Sequence, residues 1–243
     1  MSHATWAIVP AAGIGKRMQS DIPKQYLSLN GRPVLEYTVN TLLQNKNIAG
    51  LVIALQQDDI YWPDIRIDSK KPVLQAVGGR ERADSVLNAL AELNHCQQFD
   101  AARDWVMVHD AVRCCLRQDD IDRLVSDVAD DGNGGLLALP VRDTMKRKVP
   151  GSSPSTVAAT VDRENLWHAL TPQYFPAIAL KNALEDAHIS GQSVTDESSA
   201  MELAGFSPIL VQGHEDNIKI TRPDDLRLAG LYLEAQRLKD QEQ

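Results

Sequence analysis

Short apolar runs alternate along this chain with stretches of helical periodicity, and that rhythm admits few folds. Trp6-Ala7-Ile8-Val9 and Leu51-Val52-Ile53-Ala54-Leu55 read as buried strands, and the strand candidates together are 6–10, 51–55, 73–77, 105–109, 135–140 and 207–212. Helical candidates lie at 33–45, 81–93, 118–129, 177–188, 196–204 and 223–238. Pro33 and Pro223 stand at two helix starts, where a fixed φ suits the first turn. Leu226, Ala229, Leu233 and Leu238 then give the last helix a core-facing stripe. Alternation of this kind builds an α/β doubly wound, mostly parallel sheet with helices on both faces. With 43% apolar residues, the 243-residue chain is expected to form one domain over 1–243.

Residues 141–163 break the rhythm. Two polar, β-prone stretches flank Pro150-Gly151-Ser152-Ser153-Pro154, the pattern of a hairpin too polar for the main core. A two-stranded ribbon alone is marginal in water, so something must cover it. A second copy of the chain is the simplest cover, and a projecting β-hairpin arm in a homodimer is expected.

After the first strand comes Pro10-Ala11-Ala12-Gly13-Ile14-Gly15-Lys16-Arg17-Met18, with Pro23-Lys24-Gln25 close behind. Small residues and glycines let a ligand approach the backbone, whose N–H groups can face phosphate oxygens. Lys16, Arg17 and Lys24 concentrate positive charge in a chain of net charge −8, which points to a polyphosphate ligand. Neither familiar phosphate loop fits. A P-loop needs Ser or Thr after Gly15-Lys16, where this chain has Arg17. A dinucleotide fingerprint needs Gly or Ala where Met18 stands. A sequence pI near 5.2 argues against a general nucleic-acid binder. No apolar run reaches the ~20 residues of a membrane span, and the first residues lack the marks of a secretory signal. Cys96, Cys114 and Cys115 have no metal or disulfide spacing. A reduced, cytoplasmic protein is expected.

Other polar clusters fall at strand ends. Gly78-Gly79-Arg80-Glu81-Arg82-Ala83-Asp84-Ser85 either reads a planar base through its backbone and Ser85 or simply turns a strand into a helix. His109-Asp110-Ala111-Val112-Arg113 ends a strand where doubly wound sheets bind ligands, and Asp110 there suits a Mg²⁺ ligand or an organiser of hydroxyls. His109 reads as a structural hydrogen-bonding group. Thr195-Asp196-Glu197 fits a helix cap, Thr171-Pro172-Gln173 a plain turn, and Lys219 is an isolated cation in a β-prone run.

Taken in order, these motifs, with Asp143-Thr144-Met145-Lys146-Arg147, Val161-Asp162-Arg163 and Asn217-Ile218-Lys219-Ile220-Thr221, resemble the 2-C-methyl-D-erythritol 4-phosphate cytidylyltransferase family from about Ile8 to Leu228. The resemblance implies a nucleotidyltransferase (Rossmann-like) version of the doubly wound sheet, dimerised through the arm. It implies CTP as co-substrate, Mg²⁺ as cofactor with Asp110 as its ligand, and methylerythritol phosphate as acceptor. Ala11, Ala12, Gly13, Gly15, Gly79, Arg80 and Ser85 would surround the nucleotide. Arg17, Lys24 and Asp110 would serve the reacting phosphates. Arg113, Thr144, Arg163, Thr195 and Lys219 would bind the acceptor, some from the partner's arm. Two departures stand out: Val112 and Cys114 replace a more usual Ala and Pro, and Arg80 stands where some members have an acidic residue. A phosphate monoester is already an anion at neutral pH, so the implied reaction needs no general base. Its obstacle is repulsion between anions, which fixed cations relieve.

Overall fold

The first strand, Thr5–Pro10 (β1), sorts its side chains to two sides. Ala7 and Val9 join one core, Trp6 and Ile8 the other. Period-two geometry applied to an all-apolar run has this result, and it requires helices on both faces. The computed structural model describes residues 3–13, 22–128 and 131–241. After β1 come the small hairpin β2 (Ser28–Leu29) and β3 (Arg32–Pro33), then α1 (Val34–Gln44), β4 (Ile48–Leu55) and β5 (Val73–Val77). The middle of the chain holds α2 (Arg82–Leu93), β6 (Trp105–Val108), α3 (Gln118–Val128) and β7 (Gly135–Pro140). A separate hairpin follows, β8 (Met145–Lys148) and β9 (Val157–Val161). The chain continues with β10 (Trp167–Pro176), α4 (Ala177–Ile189), α5 (Glu197–Leu203), β11 (Ile209–Gln212) and α6 (Pro223–Gln241).

The central sheet has seven strands in the order β11-β7-β10-β6-β1-β4-β5. β1 pairs in parallel with both β4 and β6, and β4 with β5, so these strands end on one edge. From β1 the chain builds outward on one side through β4 and β5, then returns to place β6 on the other. The crevice between β1 and β6 is therefore the switch point at which such sheets bind ligands. β10 runs antiparallel between β6 and β7.

β10 corrects the sequence reading. Thr171-Pro172-Gln173 is not a free turn but lies inside this strand, where pairing with β7 breaks between Ala169 and Gln173. The apolar signal was masked because proline and glutamine interrupt it and Trp167–Ala169 are exposed, while Leu170–Phe175 are buried. A third core cluster lies under α6 and holds Cys114 and Cys115 as buried free thiols beside Val112, Ile220 and Ala229. The expected hairpin forms, with Met145 opposite Val161 and Lys146 opposite Thr160. Its apolar Met145 and Val157 are exposed. No helix among the described residues is long and apolar enough to cross a membrane.

Candidate active site

Three strand ends, those of β1, β5 and β6, supply most of the site. Beyond β1, the Ala11 N–H extends the ladder by donating to the Ala54 carbonyl at 2.8 Å, and Ala12 and Gly13 follow. Gly78, after β5, lies so close that a Cβ there would sit 2.1 Å from the Ala12 Cβ. Only glycine allows these two loops to touch. The Gly79 N–H donates to Ser85 Oγ at 3.0 Å, and Ser85 Oγ donates to the Glu81 carbonyl at 3.1 Å. Ser85 thus shapes the turn that enters α2. Lys24 begins a 3₁₀ turn, Lys24–Tyr26, pinned against the first loop. Gln25 Nε2 donates to the Ala11 carbonyl at 2.6 Å, and the Tyr26 hydroxyl donates to Asp59 Oδ2 at 2.8 Å. Lys24 Nζ reaches the Ile220 carbonyl at 3.4 Å.

Asp110, just past β6, gathers three cations. Arg82 Nε lies 3.2 Å from Oδ1, while Lys219 Nζ and Arg113 Nε lie 2.9 and 3.4 Å from Oδ2. Burial alone would raise the Asp110 carboxyl, but the charges of Arg82, Lys219 and Arg113 outweigh it and hold the group well below the usual carboxylate range. Behind Arg82 sits Glu197, the first residue of α5 and 1% exposed, with Oε1 at 2.5 Å from Arg82 Nη1. Burial pushes the Glu197 carboxyl up, against the pull of Arg82.

Neighbouring hydrogen bonds fix this cluster from below. The Asp110 N–H donates to Thr171 Oγ1, that hydroxyl donates to His109 Nδ1, and His109 Nε2 donates to the Arg113 carbonyl, at 3.1, 3.0 and 3.0 Å. Both ring nitrogens of the fully buried His109 are engaged, so it holds the loop together. Arg113 Nη1 donates to the Asn217 carbonyl at 2.7 Å, and Asn217 Nδ2 to the Thr171 carbonyl at 2.8 Å. Asp216 is gripped by Arg117 Nε at 3.0 Å and by Gln236 Nε2 of α6 at 2.9 Å. The segment that presents Lys219 is therefore tied to β10 and α6.

Two cavities meet here. One, about 280 Å³, is lined by Ala11, Ala12, Gly13, Lys24, Gly79, Arg80 and Ser85. The other, about 200 Å³, is lined by Arg113, Thr171, Gln173, Thr195 and Asp196. Arg82, Asp110 and Lys219 line both.

A sequence model of the 2-C-methyl-D-erythritol 4-phosphate cytidylyltransferase family matches residues 5–235. The chain is 51% identical over 223 residues to the 2-C-methyl-D-erythritol 4-phosphate cytidylyltransferase of Pseudomonas entomophila (strain L48), covering 92% of this chain and 93% of that one. The chain belongs to the 2-C-methyl-D-erythritol 4-phosphate cytidylyltransferase family. Its fold is similar to a crystal structure of 4-diphosphocytidyl-2C-methyl-D-erythritol synthase, with a TM-score of 0.81 at 33% identity over 96% of this chain and 100% of the other. The corresponding Francisella tularensis cytidylyltransferase gives 0.76 at 33% identity, over 94% and 99%.

In this member of the cytidylyltransferase family, the sequence-expected nucleotide residues Ala11, Ala12, Gly13, Gly79, Arg80 and Ser85 share the first cavity. Gly15 and Arg17 lie outside the described residues. Arg113, Thr195 and Lys219 meet in the second cavity. Thr144 and Arg163 do not join them: both are exposed at the arm, where the Arg163 guanidinium bonds the Arg142 carbonyl. Sequence reasoning missed Arg82, Glu197, Thr171 and Gln173. Arg82 was visible inside the Gly78–Ser85 motif, yet nothing local distinguished it from a first-turn surface charge.

The expected Mg²⁺ ligand fits poorly. Both oxygens of Asp110 face cations, a field that repels a divalent ion. Asp119, Asp120 and His214 also come together, but Arg123 already pairs with both carboxylates. Neither group is a suitable all-protein site.

Proposed function

We propose that the protein transfers the cytidylyl group of CTP to 2-C-methyl-D-erythritol 4-phosphate, giving 4-diphosphocytidyl-2-C-methyl-D-erythritol and pyrophosphate for isoprenoid precursor biosynthesis. One observation carries the reading: two cavities at the switch point share a wall of Arg82, Asp110 and Lys219. CTP enters the first cavity and the acceptor the second. An acceptor phosphate oxygen bonds to the α-phosphorus as the bond to the β-phosphate oxygen breaks, and no proton moves. Cations are the required catalysts, since charge builds on phosphoryl oxygens. Lys24, from its pinned turn, and Arg17 serve the triphosphate. Lys219 and Arg113 sit toward the acceptor. Asp110 orders Lys219 and Arg113, and Mg²⁺, brought in with CTP, would supply further neutralisation of phosphate charge.

In the same reading, residues 1–243 form one domain working in the cytoplasm as a homodimer. The arm supports it: an isolated ribbon with exposed Met145 and Val157 needs a cover. Thr144 and Arg163 then reach the acceptor cavity of the partner. The deciding assay follows pyrophosphate release from CTP with methylerythritol phosphate and, separately, with ribitol 5-phosphate. Release with the first acceptor is expected. Release with ribitol 5-phosphate alone overturns the acceptor, and release with neither overturns the transfer reaction.

A further inference from the structure

We propose that Arg82, anchored by Glu197, is a positioning residue of the transfer reaction, fixing the Asp110 carboxylate and with it Lys219 on the wall between the two cavities. The inference rests on the reaction proposed above. Arg82 bridges two carboxylates carried by different elements, with Nε on Asp110 past β6 and Nη1 on Glu197 of α5. It holds Oδ1 of Asp110 while Lys219 and Arg113 share Oδ2. A carboxylate torsion is broad and soft, so an Asp110 held on one oxygen only would turn and take Lys219 with it.

Stability does not account for the pair. Among the described residues, the buried Arg82 Nη2 and Glu197 Oε2 meet no hydrogen-bond partner. Half-satisfied buried ion pairs seldom hold a fold better than apolar residues of the same size, and they gather where chemistry needs charge. Glu197 has a definite task here. It draws the guanidinium back into the protein, so that Lys24 and Lys219 face the phosphates while Arg82 stays on Asp110. Its own anchorage is firm, because Gln173 Oε1 accepts from the Ser198 N–H at 2.7 Å and ties the start of α5 to β10.

The test compares Arg82→Gln, Arg82→Lys, Glu197→Gln and the double glutamine variant with the parent enzyme in the pyrophosphate assay. Displacing a positioned group by a fraction of an ångström lowers turnover by about tenfold to a hundredfold. The single variants should lose that much in kcat, while CTP dissociation constants measured calorimetrically stay within about threefold, a split that a loosened fold would not produce. The double variant should be no worse than Arg82→Gln, since the pair acts as one unit. Arg82→Lys should not rescue turnover, because an ammonium cannot span both carboxylates. Glu197→Gln keeps shape and one acceptor, so it carries the test should Arg82→Gln not fold. Parental kcat in Glu197→Gln, rescue by lysine, or costs that multiply in the double variant would each overturn the proposal. A parent that releases no pyrophosphate instead overturns the function on which it rests.

Discussion

His109 has no free nitrogen for chemistry, and that confinement has a pH signature. Burial pushes its imidazole down to about 4 from the ordinary 6.5. As pH falls below 6.5 the unfolded chain takes up this proton first, so stability is lost progressively until about pH 4. The loss amounts to about 3 kcal/mol. Urea unfolding between pH 7 and 4.5 should show the parent declining more steeply than His109→Gln; parallel declines would remove His109 as the source. Lys24 makes a different prediction. Its turn is pinned by Gln25 and Tyr26 independently of the ammonium, so Lys24→Ala should fold normally. It should lower kcat roughly 10²–10³-fold with CTP affinity changed only a few-fold, as removal of one preorganised donor does. Near-parental kcat would misplace the role. Single residues were unevenly legible in the sequence. Asp110 and Arg113 stood out as charges at a strand end, whereas Lys219 was only an isolated cation in a β-prone run and drew its role from the family resemblance. The bridge from Arg82 to Glu197 joins positions far apart in the chain, and no local pattern encodes such a meeting.

Among the elements, the parallel strands and their helices were readable because burial on both faces leaves long apolar runs. β5 and β7 have the expected limits, and α1 and α2 differ from expectation only at their ends. β10 was not readable, for its pattern serves two environments in succession. Its first residues stand in solvent and its last lie in the core, with Pro172 and Gln173 between them. Gln173 explains why a polar residue belongs there. Its Nε2 donates to Asp196 Oδ2 at 2.8 Å and its Oε1 accepts from the Ser198 N–H, so one buried side chain fastens β10 to the cap of α5. Gln173→Ala leaves that amide without a partner and should cost about 1–3 kcal/mol, read from urea midpoints at unchanged m. A change under a few tenths of a kcal/mol would show that water replaces the side chain. The cap itself was anticipated from Thr195-Asp196-Glu197, and Asp196 does accept from the Ser199 N–H.

For the molecule as a whole, the arm decides whether a site is built by one chain or two. Thr144 and Arg163 carry the expectation of acceptor binding, yet on their own chain they line neither cavity. Mixing Lys24→Ala with Arg163→Ala chains, each nearly inactive alone, tests this directly. In a shared-site dimer, one site of each mixed pair carries both lesions and the other none, so equal mixing should restore about a quarter of parental activity. No recovery after proven subunit exchange would confine the site to one chain. The arm was legible as a hairpin from its polar, turn-rich composition, and the expectation of a second copy as its cover came from the marginal stability of a lone ribbon. β10 adds a mechanical consequence. One unbroken peptide leads from Trp167, at the foot of the hairpin, to Thr171, whose hydroxyl receives the amide of Asp110. A tug on that ribbon would therefore run lengthwise along β10, like tension on a tendon, to the loop that orients the charged wall.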